Sequence, residues 1–381
     1  MWISGARLVL PERVLETASL RIQGGLIAEI REGLVPGGCD ARGLTLIPGI
    51  VDLHGDALEK ELEPRPGVFL PTEMALEAWE ARMLAAGITT AFVALSFWEG
   101  LPGLRAPENA LALAEEITAL RGQTLVDVRL HARYEVSAPG GAKAVLEALR
   151  RGWVDLLSLM DHTPGQGQFK DPEAYVRYLS KLYGLSQEAT AASLVAKKQE
   201  HQQVAEAVAS EAKALGVPLA SHDDDTPAKV RLMARMGVRI SEFPTALEAA
   251  LEAKAQGMWV AMGAPNALRG SSHVGNLSAR EAGRRAALDL LVTDYLPSSM
   301  LRAAFSLAEE GWSLPKAVAL ITTNPARAAG LRDRGALVPG LRADLVLLQE
   351  RPLRVHAVFV EGRPVLIREG VGVGSGLMGC G

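Results

Sequence analysis

The chain has 381 residues, 48% of them hydrophobic and 22% charged, with a net charge of -4 at pH 7. That balance excludes a disordered or fibrous chain and offers no overall basic surface for nucleic acid. The length allows one large α/β barrel with a smaller domain, or two ordinary domains.

Residues 1–47 hold short β-rich pieces, Ala6 to Leu10 and Leu20 to Ile22 among them, separated by Gly and Pro turn signals. Residues 343–366 repeat that style, with Ala343 to Leu348 and Val355 to Val360, so the two ends are expected to pair. Between them, eight apolar runs alternate with helical stretches: Ile47 to His54, Thr89 to Leu95, Val126 to Val136, Val154 to His162, Pro218 to His222, Val238 to Phe243, Met258 to Gly263 and Leu288 to Asp294. Eight βα units predict a (β/α)8 TIM-like barrel. The expected organisation is an α/β fold: a barrel over 48–334, a small β-sandwich domain from 1–47 plus 335–368, and a frayed Gly-rich tail over 369–381. A long exposed helix is expected from Gln187 to Leu215, which is rich in Ala, Glu, Lys and Gln.

Cys39 and Cys380 lie far apart with no Cys-x-x-Cys spacing, which argues against a thiolate metal site and a disulfide framework. With no leader-like N-terminus and no run of about 18 apolar residues, a cytoplasmic protein is expected.

The chemistry-bearing residues cluster at the C-terminal ends of the expected strands. The first run ends in His54-Gly55-Asp56, and residues two apart on a strand face the same way, so His54 and Asp56 can reach one cation. Glu135, His162, His222 and Asp294 close four other runs. In a barrel those ends share one mouth, where active sites lie. Nitrogen and carboxylate oxygen without thiolate suit one or two divalent ions, zinc first, with manganese or iron as alternatives. Asp294 is the expected general base, taking a proton from a water that the cation acidifies. In Ser221-His222-Asp223-Asp224-Asp225-Thr226, His222 is the expected ligand and Asp225 the helix cap, with Asp223 and Asp224 undecided. Lys60, Arg65, Arg133 and Arg269, with His273 near Gly270-Ser271-Ser272, make an expected anion pocket.

The chain resembles the amidohydrolase superfamily through Pro48-Gly49-Ile50-Val51-Asp52-Leu53-His54 at one end, and at the other through Thr323-Asn324-Pro325-Ala326-Arg327 and Pro339-Gly340-Leu341-Arg342-Ala343-Asp344-Leu345. That superfamily's first motif is usually His-x-His. The aspartate in His54-Gly55-Asp56, with Leu58-Glu59-Lys60, Pro64-Arg65-Pro66-Gly67-Val68, Ala86-Gly87-Ile88-Thr89-Thr90, Arg133-Tyr134-Glu135-Val136, Glu242-Phe243-Pro244-Thr245 and Gly263-Ala264-Pro265-Asn266, is similar to a narrower group, the diphosphatases of the carbon-phosphorus lyase pathway. The resemblance implies a metal-dependent hydrolase that releases pyrophosphate from α-D-ribose 1-methylphosphonate 5-triphosphate, leaving the 5-phosphate. It also implies that Glu135, on the third strand, bridges two metals where many relatives use a carboxylated lysine. The expected partner is a small sugar triphosphate, not nucleic acid or a membrane, and a homo-oligomer is left open. The alternatives are an amide hydrolase of the deacetylase or dihydroorotase kind, and a metal-free scaffold protein.

Overall fold

The computed structural model describes residues 1–162, 177, 198–272 and 275–368. Eight parallel strands follow one another around a single sheet: β6 (Ile50–Gly55), β7 (Ile88–Phe97), β8 (Asp127–Glu135), β9 (Leu156–Met160), β10 (Leu219–His222), β11 (Ile240–Glu242), β12 (Trp259–Gly263) and β13 (Leu290–Val292). Each of the eight predicted runs overlaps one of them. The ring closes where β13 returns to β6: Asp294 N donates to His54 O at 2.9 Å and Asp56 N to Asp294 O at 2.8 Å.

A period of two explains how the strands divide their side chains. On β8, Leu130, Ala132 and Tyr134 pack outward into the large core shared with the helices, so His131, Arg133 and Glu135 face inward. Ala220, Ile240, Leu290 and Val292 belong to a separate buried cluster with Phe92 and Leu156. Each lies two or four residues before His222, Glu242 or Asp294 on its own strand, so this apolar plug sits directly beneath the polar mouth.

The chain ends build the second sheet from β1 (Trp2–Val9), β2 (Val14–Gln23), β3 (Leu26–Glu32), β4 (Cys39–Asp40), β5 (Thr45–Pro48), β14 (Leu345–Glu350), β15 (Leu353–Val360) and β16 (Arg363–Ile367). Its order is β16-β15-β14-β5-β1-β2-β3, with β4 beside β1, and its core includes Ile3, Leu8, Leu20, Leu46, Leu345 and Phe359. The predicted run from Ile47 divides at Gly49: Ile47 and Pro48 stay in this sheet, and Ile50 starts the barrel. Gly49 is required there, because a Cβ would lie 2.2 Å from Thr89 Oγ1 and 2.9 Å from Asp344 Cβ. Cys39, in β4, is buried.

The helix expected from Gln187 is described from Lys198 to Ala214. Its first part, the Gly-rich loop after His162, His273 and the tail over 369–381 lie outside the described residues. Among the described residues no helix is long and apolar enough to cross a membrane.

Candidate active site

At the end of β6 the backbone places His54 and Asp56 beside the barrel's closing seam. Asp52, buried two residues earlier, accepts from Thr293 N at 2.9 Å and Thr293 Oγ1 at 2.6 Å. Gly55 is the space for that latch, since a Cβ there would lie 2.9 Å from Asp52 Oδ2 and 3.0 Å from Thr293 Oγ1. The middle residue of His54-Gly55-Asp56 is therefore small for a steric reason. Three residues just past strand ends, Asp223, Phe243 and Asp294, have left-handed backbones with φ of 52°, 52° and 56°. Such conformations carry a cost outside glycine and persist where the surroundings enforce them.

Glu242, at the end of β11, is the hub of the buried cluster. Its Oε1 lies 3.1 Å from His54 Nδ1, and its Oε2 accepts from Ser158 Oγ at 2.9 Å and lies 3.5 Å from His222 Nδ1. Burial alone would raise its pKa, but the surrounding His54, His131 and His222 imidazoles hold the carboxyl well below the usual glutamate range. His54 is likewise opposed by burial, yet Glu242 raises it above an ordinary histidine. Phe243 sets its ring edge-on against His54 and His222, with centroids 5.1 and 5.2 Å away.

His131 supplies the sharpest test of whether a cation fits. Its Nδ1 hydrogen-bonds Leu53 O at 3.0 Å, and a carbonyl only accepts, so Nδ1 carries the proton and Nε2 a lone pair. Burial pushes the ring's pKa down to about 3, which keeps it neutral. Its Nε2 is buried without a hydrogen-bond partner and points at Glu242 Oε2 across 3.9 Å. Two electron-rich atoms facing each other in a buried site suit a cation between them. His54, His131 and Glu242 form one group whose ligand atoms lie within 4.8 Å of one another; His162, His222 and Asp223 form a second. In the second, Asp223 Oδ2 is also buried and unpartnered, 3.8 Å from His222 Nε2 and 3.9 Å from His162 Nε2.

The structure therefore draws together His54, Asp56, Glu135, His162, His222 and Arg133. Arg133 does not stand in an open anion pocket. It is buried, donating from Nη1 to Asp56 Oδ1 at 3.2 Å, with Nη2 3.3 Å from His222 Nε2. Opposed by burial, Asp56 is nonetheless held below the usual aspartate range, chiefly by that guanidinium. Asp294 joins the cluster through its backbone bonds to His54 and Asp56. Burial, aided by the Asp56 charge, raises its carboxyl to about 6. Lys60 and Arg269 are exposed on short helices, Ala57–Leu62 and Ala264–Arg269, and Arg65 is exposed in the loop after the first. Among the described residues no hydrogen bond or ion pair joins these three to the cluster. Asp225 is not the helix cap: Thr226 is, with its side chain accepting from Lys229 N, and Asp224 is buried between the Ser221 and Ser241 hydroxyls.

Of the residues in these two groups the sequence reading missed His131; Glu242 enters it only within a family motif, and Asp223 is left undecided. His131 was recoverable from its spacing, since His131, Arg133 and Glu135 alternate on one face of β8. Glu242 closes an apolar run as Glu135 does. Asp223 was ambiguous among three adjacent aspartates; its left-handed backbone and its place beside His162 and His222 separate it from its neighbours.

The amidohydrolase family profile matches residues 45–365. The chain is 39% identical over 378 residues, 96% of its length, to the whole of the α-D-ribose 1-methylphosphonate 5-triphosphate diphosphatase of Escherichia coli strain K12. Among solved structures, N-acetyl-D-glucosamine-6-phosphate deacetylase from Mycobacterium smegmatis has a TM-score of 0.65 at 18% identity, covering 96% of this chain and all of that one. A Xaa-Pro dipeptidase with bound methionine has a TM-score of 0.67 at 16% identity, covering 95% and 98%. At those identities the two structures speak for the fold alone.

Proposed function

The chain belongs to the amidohydrolase family, and from that premise we propose that it is a metal-dependent diphosphatase that hydrolyses α-D-ribose 1-methylphosphonate 5-triphosphate to pyrophosphate and the 5-phosphate. The observation that carries this reading is the 39% identity running the full length of the Escherichia coli diphosphatase. His54, His131 and Glu242 would hold one divalent ion, with Asp56 beside His54, and His162, His222 and Asp223 a second; their nitrogen and oxygen donors suit zinc first, then manganese or iron. A bound ion would supply Lewis acidity, acidifying a water and drawing charge from the phosphate oxygens.

The protein's own groups account for the rest. Asp294, with its carboxyl raised to about 6, is mostly ionised at neutral pH and still basic enough to take a proton from an attacking water. Arg133 fixes Asp56 and His222 relative to each other. Lys60, Arg65 and Arg269, exposed on loops and short helices that follow β6 and β12, would meet the outer phosphates, where positioning and charge neutralisation dominate phosphoryl transfer. A multiply phosphorylated sugar does not cross membranes unaided, which supports a cytoplasmic location.

Phosphorus NMR of zinc- or manganese-loaded protein with the ribose phosphonate triphosphate and with ordinary nucleoside triphosphates tests the reading. Pyrophosphate should appear from the first much faster than from the second. No release of pyrophosphate from any triphosphate, with turnover of acetylated amino sugars or cyclic amides instead, would replace this reading with the amide-hydrolase alternative.

A further inference from the structure

Glu135 and His162 form a unit whose hydrogen bonds constrain their roles. Glu135 is fully buried at the end of β8. Its Oε1 accepts from Ser137 N at 3.1 Å, from His162 N at 3.1 Å and from the Ser137 hydroxyl; its Oε2 lies 2.6 Å from His162 Nδ1. Both backbone groups can only donate, so Oε1 is committed as an acceptor. Oε2 faces a ring nitrogen at the distance of a charge-assisted bond. A carboxylate there can only accept, which puts the proton on Nδ1 and leaves Nε2 with its lone pair. That nitrogen faces the buried, unpartnered Asp223 Oδ2 across 3.9 Å. On the ring's flat side the Trp98 indole, brought in by the end of β7, lies nearly parallel, with centroids 5.0 Å apart and planes inclined by 14°.

We propose that Glu135 is a positioning residue that orients His162 and sets its tautomer for a divalent ion, and does not itself bridge two ions, with Trp98 holding the imidazole plane. The proposal rests on the metal-centre reading above and changes one assignment within it. A bridging glutamate would need lone pairs directed at both ions, whereas here both oxygens are engaged by donors from its own strand end and from the His162 segment. Carboxylates that hold a ligating histidine by its other nitrogen are a general feature of metal sites, and they matter because the wrong tautomer has no lone pair to give.

The proposal predicts what Glu135→Gln does. The amide oxygen is needed where Ser137 N, the Ser137 hydroxyl and His162 N all donate, so the amide nitrogen is left facing His162 Nδ1. Facing that donor, His162 Nδ1 must accept, which moves the ring proton to Nε2 and removes the ligand.

The test is nitrogen-15 NMR of the metal-free, full-length protein labelled at histidine, with the His162 signals assigned by comparison with His162→Gln. It is paired with zinc affinities by chelator competition and a crystal structure of the zinc-loaded wild type. The expected results are an Nδ1-protonated His162 in the wild type, an Nε2-protonated one in Glu135→Gln, and zinc affinity at this position about 10 to 100-fold weaker in the variant. Zinc in the wild type should bind His162 Nε2 with no Glu135 oxygen in its coordination sphere. A wild-type Nε2-protonated ring, or a Glu135 oxygen about 2.0–2.2 Å from zinc, overturns the proposal. Those two readouts use the wild type, so they stand even if Glu135→Gln does not fold. Protein that takes up no stoichiometric metal would instead overturn the metal-centre reading itself, and with it the ligand role of His162.

Discussion

Asp294 carries two opposing consequences of one environment. Burial and the neighbouring Asp56 charge raise its carboxyl from 3.8 to about 6, so the fold favours the neutral form. For a carboxyl raised on folding, the associated stability is complete below the unfolded value, near pH 4, and is lost as pH rises through about 6. The raised value corresponds to about 3 kcal/mol by pH 7. In metal-depleted protein, Asp294→Asn should therefore melt close to the wild type at pH 4 and above it at pH 7.5. A melting difference that does not change between those pH values would show that the carboxyl is not raised. In metal-loaded protein the same substitution should lower kcat about 10² to 10⁴-fold, with metal content by elemental analysis nearly unchanged. Near-normal turnover would remove Asp294 from the role of base. The residue's identity and its place at a strand end were legible in the sequence. Its left-handed backbone and its seam bonds to His54 and Asp56 were not, because they come from a strand some 240 residues earlier in the chain.

At the scale of the element, the β6–β13 seam is both the barrel's closure and the mount for the site. Thr293 donates through backbone and hydroxyl to Asp52, and the residues that follow each of these two, His54 to Asp56 on one side and Asp294 on the other, carry the chemistry. Thr293→Val keeps the volume and removes the hydroxyl donor to a buried carboxylate. It should cost about 1–3 kcal/mol in a urea melt and lower kcat more than it raises KM, because the residue it displaces is Asp294. An unchanged kcat with the expected loss of stability would mean that the seam closes the barrel without positioning the base. Strand β8 shows how much periodicity alone conveys: alternation assigns His131, Arg133 and Glu135 to one face. It is silent on partners, and those determine that His131 offers a free lone pair, Arg133 binds Asp56, and Glu135 holds His162.

At the scale of the molecule, a second polar network lies at the opposite end of the barrel. Arg334, buried between the barrel and the terminal sheet, donates to Thr90 Oγ1 at 2.9 Å, to Asp333 and to Asp127, while Arg342 bonds Asp344 at 3.0 Å. These bonds tie the starts of β7 and β8 to the segment leading into β14. Arg334→Met removes a charge whose acidic partners then lie partly unpaired. Asp127 and Asp333 are not deeply buried, so the cost should be about 2–3 kcal/mol, below that of a fully buried pair. A urea melt should show that loss while kcat/KM changes less than about threefold, since the network is on the face away from the mouth. A large fall in kcat/KM in protein that is still folded would show that the two ends are coupled.

The sequence by itself determined the alternation of eight strands with helices, the pairing of the two chain ends, and a belt of His, Asp and Glu at the strand ends. Each is written in local order, in periods of two, in turn residues and in the positions where apolar runs stop. Tertiary structure decided which polar residues share a partner. It made Glu242 the hub, left His131 Nε2 and Asp223 Oδ2 facing into the cluster without partners, buried Arg133 between Asp56 and His222, and set Lys60, Arg65 and Arg269 on the surface. The reason is physical. A strand's period fixes the face on which a side chain stands, whereas hydrogen bonds and desolvation depend on atoms that only barrel closure brings within a few ångströms.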